Sequence, residues 1–583
     1  MRDARTSSIL ALWLVMLPSS AMGNWSSDPK VNLAVCTHDG DQGMPALLPD
    51  GYGGAWIAWT DTRLDVGDIY AQHVLAQGVV DPTWPADGLV VSATWSSQSA
   101  PTIVSDGGSG MFIGWWDQRI SSGNPDLYFQ HVLANGVVDP AWPLNGAPVM
   151  TSLDNQYIPF ILADGAGGAF FCFGDNDGTS NNVYAQHMLA SGVRDPLWPD
   201  VGLKLCWVPG TQLFPHAILD GEGGMFVAWG DDRALVGGVY ASRVLASGAI
   251  HAGWPSNGFA VCTTTVALGS VKLASDGSGG AIVVWSDKRS GSTGDIYAQH
   301  LLANGSIDAT WPASGLAVCA ASGDQAVPQI VADGAHGAIL VWMDQRSGNY
   351  DLYAHHVLAT GAVDPSWPAN GRALVVAAGD QRIVNYSSVF SDGAGGALCV
   401  WRDERPGALI PDIYAGHILA SGLADPTWPT NGRAVCLADS NQSTASACPD
   451  GSGGLIVAWP DKRSGAWDLY AQRIAANGTL PNLGVTDATP WAPRLDPPQP
   501  NPAIAGTALR FSLPASARTR LEVFDVRGRL VRVLTDEELP AGAWEIRWDL
   551  TDQAHRDVPP GLYLERLVAG TRTMTNRIIV LGR

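Results

Sequence analysis

The stretch Asp276-Gly277-Ser278-Gly279-Gly280-Ala281-Ile282-Val283-Val284-Trp285-Ser286-Asp287-Lys288-Arg289 joins a glycine turn to an apolar run that closes on Trp-x-Asp-x-Arg. A Tyr-Ala-Gln-His segment follows at Tyr297–His300, then a turn built on Gly305, Trp311, Pro312 and Gly315. The cassette recurs along the chain. Its leading aspartates are Asp50, Asp106, Asp164, Asp220, Asp276, Asp333, Asp392 and Asp450, spaced 56, 58, 56, 56, 57, 59 and 58 residues apart. Self-similarity at that period identifies a tandem array.

Each period predicts four strands. The segment before the aspartate, such as Pro328–Asp333, is rich in β-branched residues, and the glycines after it supply the positive φ of a tight hairpin. This is strand a. Strand b, Gly280–Trp285, is apolar throughout, as for a strand covered on both faces. Strand c, Ile296–Leu302, alternates Tyr297 and Gln299 against Ile296, Ala298 and His300, and strand d is the short Leu316–Cys319. Four antiparallel strands repeated radially make propeller blades, so the expected fold is all-β: an eight-bladed β-propeller over residues 31–485. A stacked β-solenoid is the competing architecture. The array opens with a lone d-type strand, Val31–Cys36, and its last period loses the Trp-Pro turn around Pro481. Either the N-terminal strand completes the eighth blade, or Leu483–Val485 does.

Residues 1–23 read as an export signal, with basic Arg2 and Arg5, an apolar run Ile9–Leu17, and Ala21 and Gly23 before the expected cleavage point. No later stretch is long and apolar enough for a membrane helix, so the mature chain is expected to be secreted or held at the outer cell surface. The formal net charge is -21, which repels phosphate backbones and argues against nucleic acid. Of eight cysteines, Cys36, Cys206, Cys262, Cys319 and Cys436 share one repeat position and read as small buried hydrophobes. Cys436 and Cys448 are near enough in sequence to bridge in an oxidising compartment.

Seven Asp-x-Arg pairs form a ring by symmetry: Asp61 with Arg63, Asp117 with Arg119, Asp231 with Arg233, Asp287 with Arg289, Asp344 with Arg346, Asp403 with Arg405, and Asp461 with Arg463. Guanidinium binds carboxylate bidentately, so such a ring could meet an acidic ligand. A group present in nearly every blade is better explained as a tie for its own loop. Six strand-c histidines, His73, His131, His187, His300, His356 and His417, read as architecture on the same ground, and the Trp-Pro tryptophans as plugs between blades.

Departures from the period are better site candidates. The third repeat has Phe173 in place of tryptophan, then Asp175, Asn176 and Asp177, followed by Asn181 and Asn182. That oxygen-rich cluster would suit calcium; the alternative is a solvated loop. Glu404 is one of two glutamates in the array, with Glu222. No other metal or cofactor is expected, and no nucleophile elbow, zinc motif or phosphate loop occurs. The loops from strand b to strand c vary in length and are the expected binding face for a protein or glycan.

The hairpin and its tryptophan resemble the Asp-box of sialidase-like propellers, but in Ser391–Trp401 the tryptophan comes too late. A polysaccharide-acting hydrolase or lyase is the rival to a non-enzymatic scaffold, and scarce glutamate argues against it.

Residues 486–502 form a proline-rich linker, expected to be too stiff and donor-poor for sheet or helix. Beyond it, at 503–583, alternating runs predict a β-sandwich. Pro500-Asn501-Pro502, Phe511–Pro514, Val523–Val531, Ala541-Gly542, Trp548-Asp549 and Pro560–Tyr563 together resemble the FlgD-like immunoglobulin-type domain, or type IX secretion sorting domain, of exported bacterial proteins. The resemblance implies a role in sorting or surface attachment through export machinery. The ending Ile578–Arg583 departs from the basic tail of many such signals.

Overall fold

The structure is a computed structural model. It describes residues 25–481 apart from 109, 122, 152–154, 234–236, 264–269, 292, 384–387 and 406–409. From 494 to 581 it describes all but 496–497, 499–500, 502, 504–505, 514–516, 540–541, 555 and 570–571. The chain divides into two compact units, Met1–Gly484 and Val485–Arg583.

The first unit is all-β and propeller-like. Its first sheet runs Gln42–Pro49, Ala55–Asp61, Asp68–Val74, Leu89–Ser92, in sequence order and antiparallel. The same a-b-c-d meander recurs at every period, with the b strands buried along most of their length and Ala338–Asp344 buried throughout. In the seventh sheet strand a is split into Gln381–Arg382 and Val389–Ser391. The eighth sheet, Ser446–Pro449, Leu455–Asp461 and Asp468–Ile474, receives its fourth strand from the other end of the chain. There Leu33–Cys36 pairs antiparallel with the c strand, Leu33 opposite Ala471 and Ala34 opposite Tyr470. The alternative closing segment, Leu483–Val485, lies outside the described residues.

Apolar cores lie between sheets. Trp115 and Met111 of the second sheet meet Ala58 and Ile69 of the first, and equivalent clusters fill each later junction. A further cluster joins the last sheet to the first, setting Ile456 and Cys448 against Ile57 and Trp59. Cys448 therefore faces the first sheet, whereas Cys436 belongs to the core shared with the seventh. All eight cysteines are free and buried, so the Cys436–Cys448 bridge is not formed. The two thiols lie in the cores on opposite faces of the eighth sheet.

Strand a carries a bulge that positions the site. Its register slips between Gly43 and Ala46, between Ser99 and Thr102, and likewise in later sheets. At each slip a residue before proline turns left-handed: Met44 (φ 50), Ala100 (φ 52), Phe214 (φ 52) and Val327 (φ 51). An extra residue in one strand bends it and re-aims its side chains.

The second unit packs two sheets over one core. Arg494–Leu495, Thr507–Leu513 and Gly542–Trp548 form one; Ala517–Asp525, Leu530–Leu539, Gly561–Ala569 and Arg572–Val580 form the other. Leu509, Phe511 and Trp548 meet Leu521, Val523, Leu567 and Ile578 between them. The expected strandless linker needs correction, because Arg494 and Leu495 pair with Ser512 and Phe511. Neither residue is proline, so both keep their amides, and an edge strand tolerates flanking prolines.

Candidate functional site

All eight blade-like sheets are clamped by charged side chains at the a to b end, and seven of them carry an Asp-Arg pair at the b to c end. At the b to c end Trp59 donates its indole N–H to Asp61 at 2.9 Å, and Arg63 closes on the same carboxylate at 2.6 Å. Arg63 also stacks on Tyr70, 4.1 Å from the ring centroid, and donates to the Asp87 carbonyl and to Cys36 of the neighbouring sheet. The other six Asp-Arg pairs are made in the same way, each guanidinium 3.5–4.0 Å from a tyrosine centroid. Their arginines are 16–27% exposed, so few donors are left for a ligand.

At the opposite end the turn aspartate does double duty. Asp50 Oδ1 accepts the amides of Tyr52 and Gly54 across the a to b hairpin, and Asp50 Oδ2 meets His73 Nε2 at 3.0 Å. A Cβ on Gly54 would lie 2.3 Å from the Val74 carbonyl oxygen, so only glycine fits. His73 Nδ1 meets Asp81 of the Asp-Pro-x-Trp-Pro turn at 2.8 Å. The same Asp-His-Asp clamp is built on His131, His187, His300, His356 and His417. Burial presses the His73 and His131 pKa values down, but the two carboxylates outweigh it and raise both. In the fourth sheet Arg243 replaces the histidine, binding Asp220 and Glu222, and His251 replaces the second aspartate.

The predicted polar cluster of the third repeat forms one b to c hairpin. Asp175 pairs across the ladder with Asn182, and Asn176 with Asn181. Asp175 is buried and accepts from Gln156 at 3.2 Å. Asp177 takes the place of the arginine, and its Oδ1 accepts the hydroxyl of Thr179 and the amides of Thr179 and Ser180, which hold its pKa down to about 2. Asn182 donates to its Oδ2 at 3.2 Å. Among the described residues no group of three or more His, Cys, Asp or Glu side chains has metal-binding geometry. Glu404, in the seventh sheet, pairs with Arg402 at 3.2 Å, beside Asp380, which accepts the Tyr350 amide. The structure does not bring Glu404 together with the third-repeat cluster.

A concavity among the described residues lies elsewhere, on the face of the b to c and d to a loops. It is a cavity of about 630 Å³, within the usual range of small-ligand sites, roughly 300–1,000 Å³. The bulges of strand a form its wall through Met44, Pro45, Ala100 and Pro101, the ends of strand b give Thr60, Trp116 and Pro460, and the last b to c loop gives Trp467. Hydroxyls of Thr62, Ser99, Thr102, Ser443, Thr444 and Ser446 ring it. Trp467 is fixed through its backbone, with its amide donating to Asp41 at 3.1 Å and its carbonyl accepting from Gln42 at 2.6 Å.

None of the polar departures singled out in the sequence lines this cavity. Its aromatics stand at positions that vary from repeat to repeat: Trp467 where others have Gly67, Gly294, Tyr350 or Pro411, and Trp116 where others have Thr60, Gly230, Ser286 or Met343. No periodic signal marks such positions, and only a comparison of which repeats place a tryptophan there points to them.

No protein-family model and no curated protein matches the chain. Among solved structures it is similar to an ulvan lyase of a new polysaccharide lyase family, at 8% identity and a TM-score of 0.41, covering 76% of this chain and 96% of that one. An endo-arabinase from Bacteroides thetaiotaomicron is 11% identical with a TM-score of 0.27, over 47% and 94%. PorZ, a surface component of the type IX secretion system of Porphyromonas gingivalis, is 12% identical with a TM-score of 0.31, over 94% and 82%. At this level of likeness no residue role is carried across. No helix among the described residues is long and apolar enough to cross a membrane.

Proposed function

We propose that this is an exported, non-enzymatic, eight-bladed propeller that binds a glycan in the cavity of its b to c face. The second unit is read as an immunoglobulin-like sorting or attachment module. Eight meanders, a core at each junction, and an N-terminal strand seated in the last sheet support the blade count.

The observation that carries the binding reading is the lining itself. Two tryptophans, set among hydroxyls and prolines, offer flat apolar faces and short polar arms together, which is what a sugar ring presents in complement. Glycoside hydrolysis uses two carboxyl groups across the scissile bond, and the lining residues include one, Asp41. Among the described residues that line the cavity there is no histidine, lysine, arginine or tyrosine to take a proton in an elimination. The oxygen-rich hairpin of the third repeat, with Asp177, Asn181 and Asn182, is the place where calcium would bind.

The intact chain, with and without calcium, should be screened on an array of glycans and cell-wall polymers beside its Trp467→Ala variant. Binding that the variant loses supports the reading. Turnover of any bound polymer, or capture of proteins alone, overturns it.

A further inference from the structure

The cavity lining has a charge character that narrows its ligand. Among the described residues that line it there is no lysine, arginine or histidine, and the one ionisable group is Asp41. Asp41 is locked at the rim, its amide donating to Thr62 Oγ1 at 2.7 Å and its Oδ1 accepting from the amide of Trp467. The neighbouring guanidiniums are paired: Arg63 is bound to Asp61, and Arg463 to Asp461 and Asn32, with only the buried Nε of Arg463 left over. Among the described residues one cation approaches, Lys462, whose Nζ lies 4.9 Å from the centroid of the Trp467 ring and outside the lining.

Burying a carboxylate or sulfate needs an opposite charge or several directed donors, and sites for acidic groups supply arginine for that purpose. Here the wall would meet such a group with the Asp41 carboxylate and a chain of net charge -21. A neutral pyranose has the opposite fit: its C–H face can lie on an indole, and its hydroxyls can exchange hydrogen bonds with Thr60, Ser443 and Thr444.

We propose that the cavity takes an uncharged pyranose segment of a polysaccharide, stacked on Trp467 and Trp116, and excludes uronic-acid and sulfated chains. This rests on the glycan-binding reading above and adds the substrate class to it.

The intact chain should be titrated by calorimetry and tryptophan fluorescence with cellohexaose, mannohexaose and xylohexaose, and in parallel with hexagalacturonate, hexamannuronate and a sulfated hexasaccharide. At least one neutral hexamer should bind, and Trp467→Ala should weaken it about tenfold or more, the size of one lost stacking contact. Trp467→Phe, which keeps a ring, should retain most of the binding, and this guards against misreading a folding defect. An acidic hexamer that binds as tightly as the best neutral one and is lost in Trp467→Ala would overturn the neutral class while leaving the glycan reading intact. If no hexamer of either kind binds, the glycan reading falls and this proposal with it.

Discussion

Trp25 donates its indole N–H to the carbonyl of Ala76 at 2.9 Å, and its ring lies so close to Gly78 that a Cβ there would clash with it. The same bond joins Trp198 to Ala246 and Trp428 to Ala476, each at 3.0 Å, and each of those rings covers a glycine of the following sheet. Trp25 thus takes the place of the Trp-Pro tryptophan that the eighth period lacks. Ser26 completes the substitution, its carbonyl accepting from Gln472 at 2.9 Å as Pro85 does from Gln72.

Replacing Trp25 with alanine should therefore destabilise the first unit as much as Trp311→Ala does within the array, by about 3–5 kcal/mol for a buried tryptophan. Denaturant unfolding of both variants checks this. A much smaller loss at Trp25 would mean that the N-terminal seal is dispensable.

Arg289→Ala should lower stability by roughly 3 kcal/mol, because it strips a buried carboxylate, Asp287, of its cation and leaves Tyr297 uncovered. Binding by the cavity should be unaffected. Thermal unfolding in parallel with a binding titration separates the two; an unchanged melting temperature with lost binding would turn the Asp-Arg ring from scaffold into site.

The array was legible in the sequence because its signals are local. Asp276 and Gly280 sit four residues apart, and the hairpin they specify is closed by a backbone pair between Asp276 and Gly280 themselves. The seal was only half legible: strand Val31–Cys36 matched the d pattern, whereas Trp25 finds its partner 51 residues away and stands at a spacing no repeat shares. The Asp50–His73–Asp81 clamp was written in the period, but as three separate recurring residues. Its clue lay in the fourth repeat, where Arg243 and His251 change together. The cavity was hidden for another reason. The bulge at Met44 comes from a left-handed residue before Pro45, and only the folded strand shows that Met44, Trp116 and Trp467, far apart in sequence, share one wall.

A chain ending at Gly484 should keep the first unit folded, since each unit has its own core. Its melting transition should match one of two transitions of the intact protein, and in cells its final location should change. Unchanged location would remove the sorting role from the second unit.

Asp68→Asn should stabilise the protein at neutral pH. In the fifth and sixth sheets the equivalent Asp295 and Asp351 accept hydroxyls from Ser290 and Ser347. In the first sheet that serine is Leu64, and the buried Asp68 carboxylate is left without a side-chain donor, with only the Thr94 amide near it. Burial first, then the charge of Asp65, pushes its pKa up to about 6. The folded state then binds the proton more tightly than the unfolded one, so stability falls as pH rises from about 4 to about 6. The asparagine, already present as Asn182 in the third sheet, should recover about 1 kcal/mol at pH 7 after allowance for solvent screening, and nothing below about pH 4. Leu64→Ser should act in the same direction by supplying the missing donor.

The Asp-His-Asp clamps predict a second, broader pH dependence. The pKa values of His73 and His131 are raised by their carboxylates against the pull of burial, so the stability they add is complete below the unfolded histidine value of about 6.5 and is lost as pH rises through the higher folded values. Their partners Asp81, Asp106 and Asp139 are displaced the other way. Burial alone would raise them, but hydrogen bonds from turn amides and from the histidines prevail, so their contribution is lost only as pH falls below the ordinary aspartate range. The stability these two clamps add, read as the difference in melting temperature between the protein and the double variant His73→Gln, His131→Gln, should therefore be largest on the mildly acidic side and shrink toward pH 9. The difference isolates the clamps from groups such as Lys272, whose buried ammonium is shifted down to about 7 and favours the folded state more as pH rises. A difference that stays flat or grows from pH 5 to pH 9 would mean that His73 and His131 are neutral in the folded state.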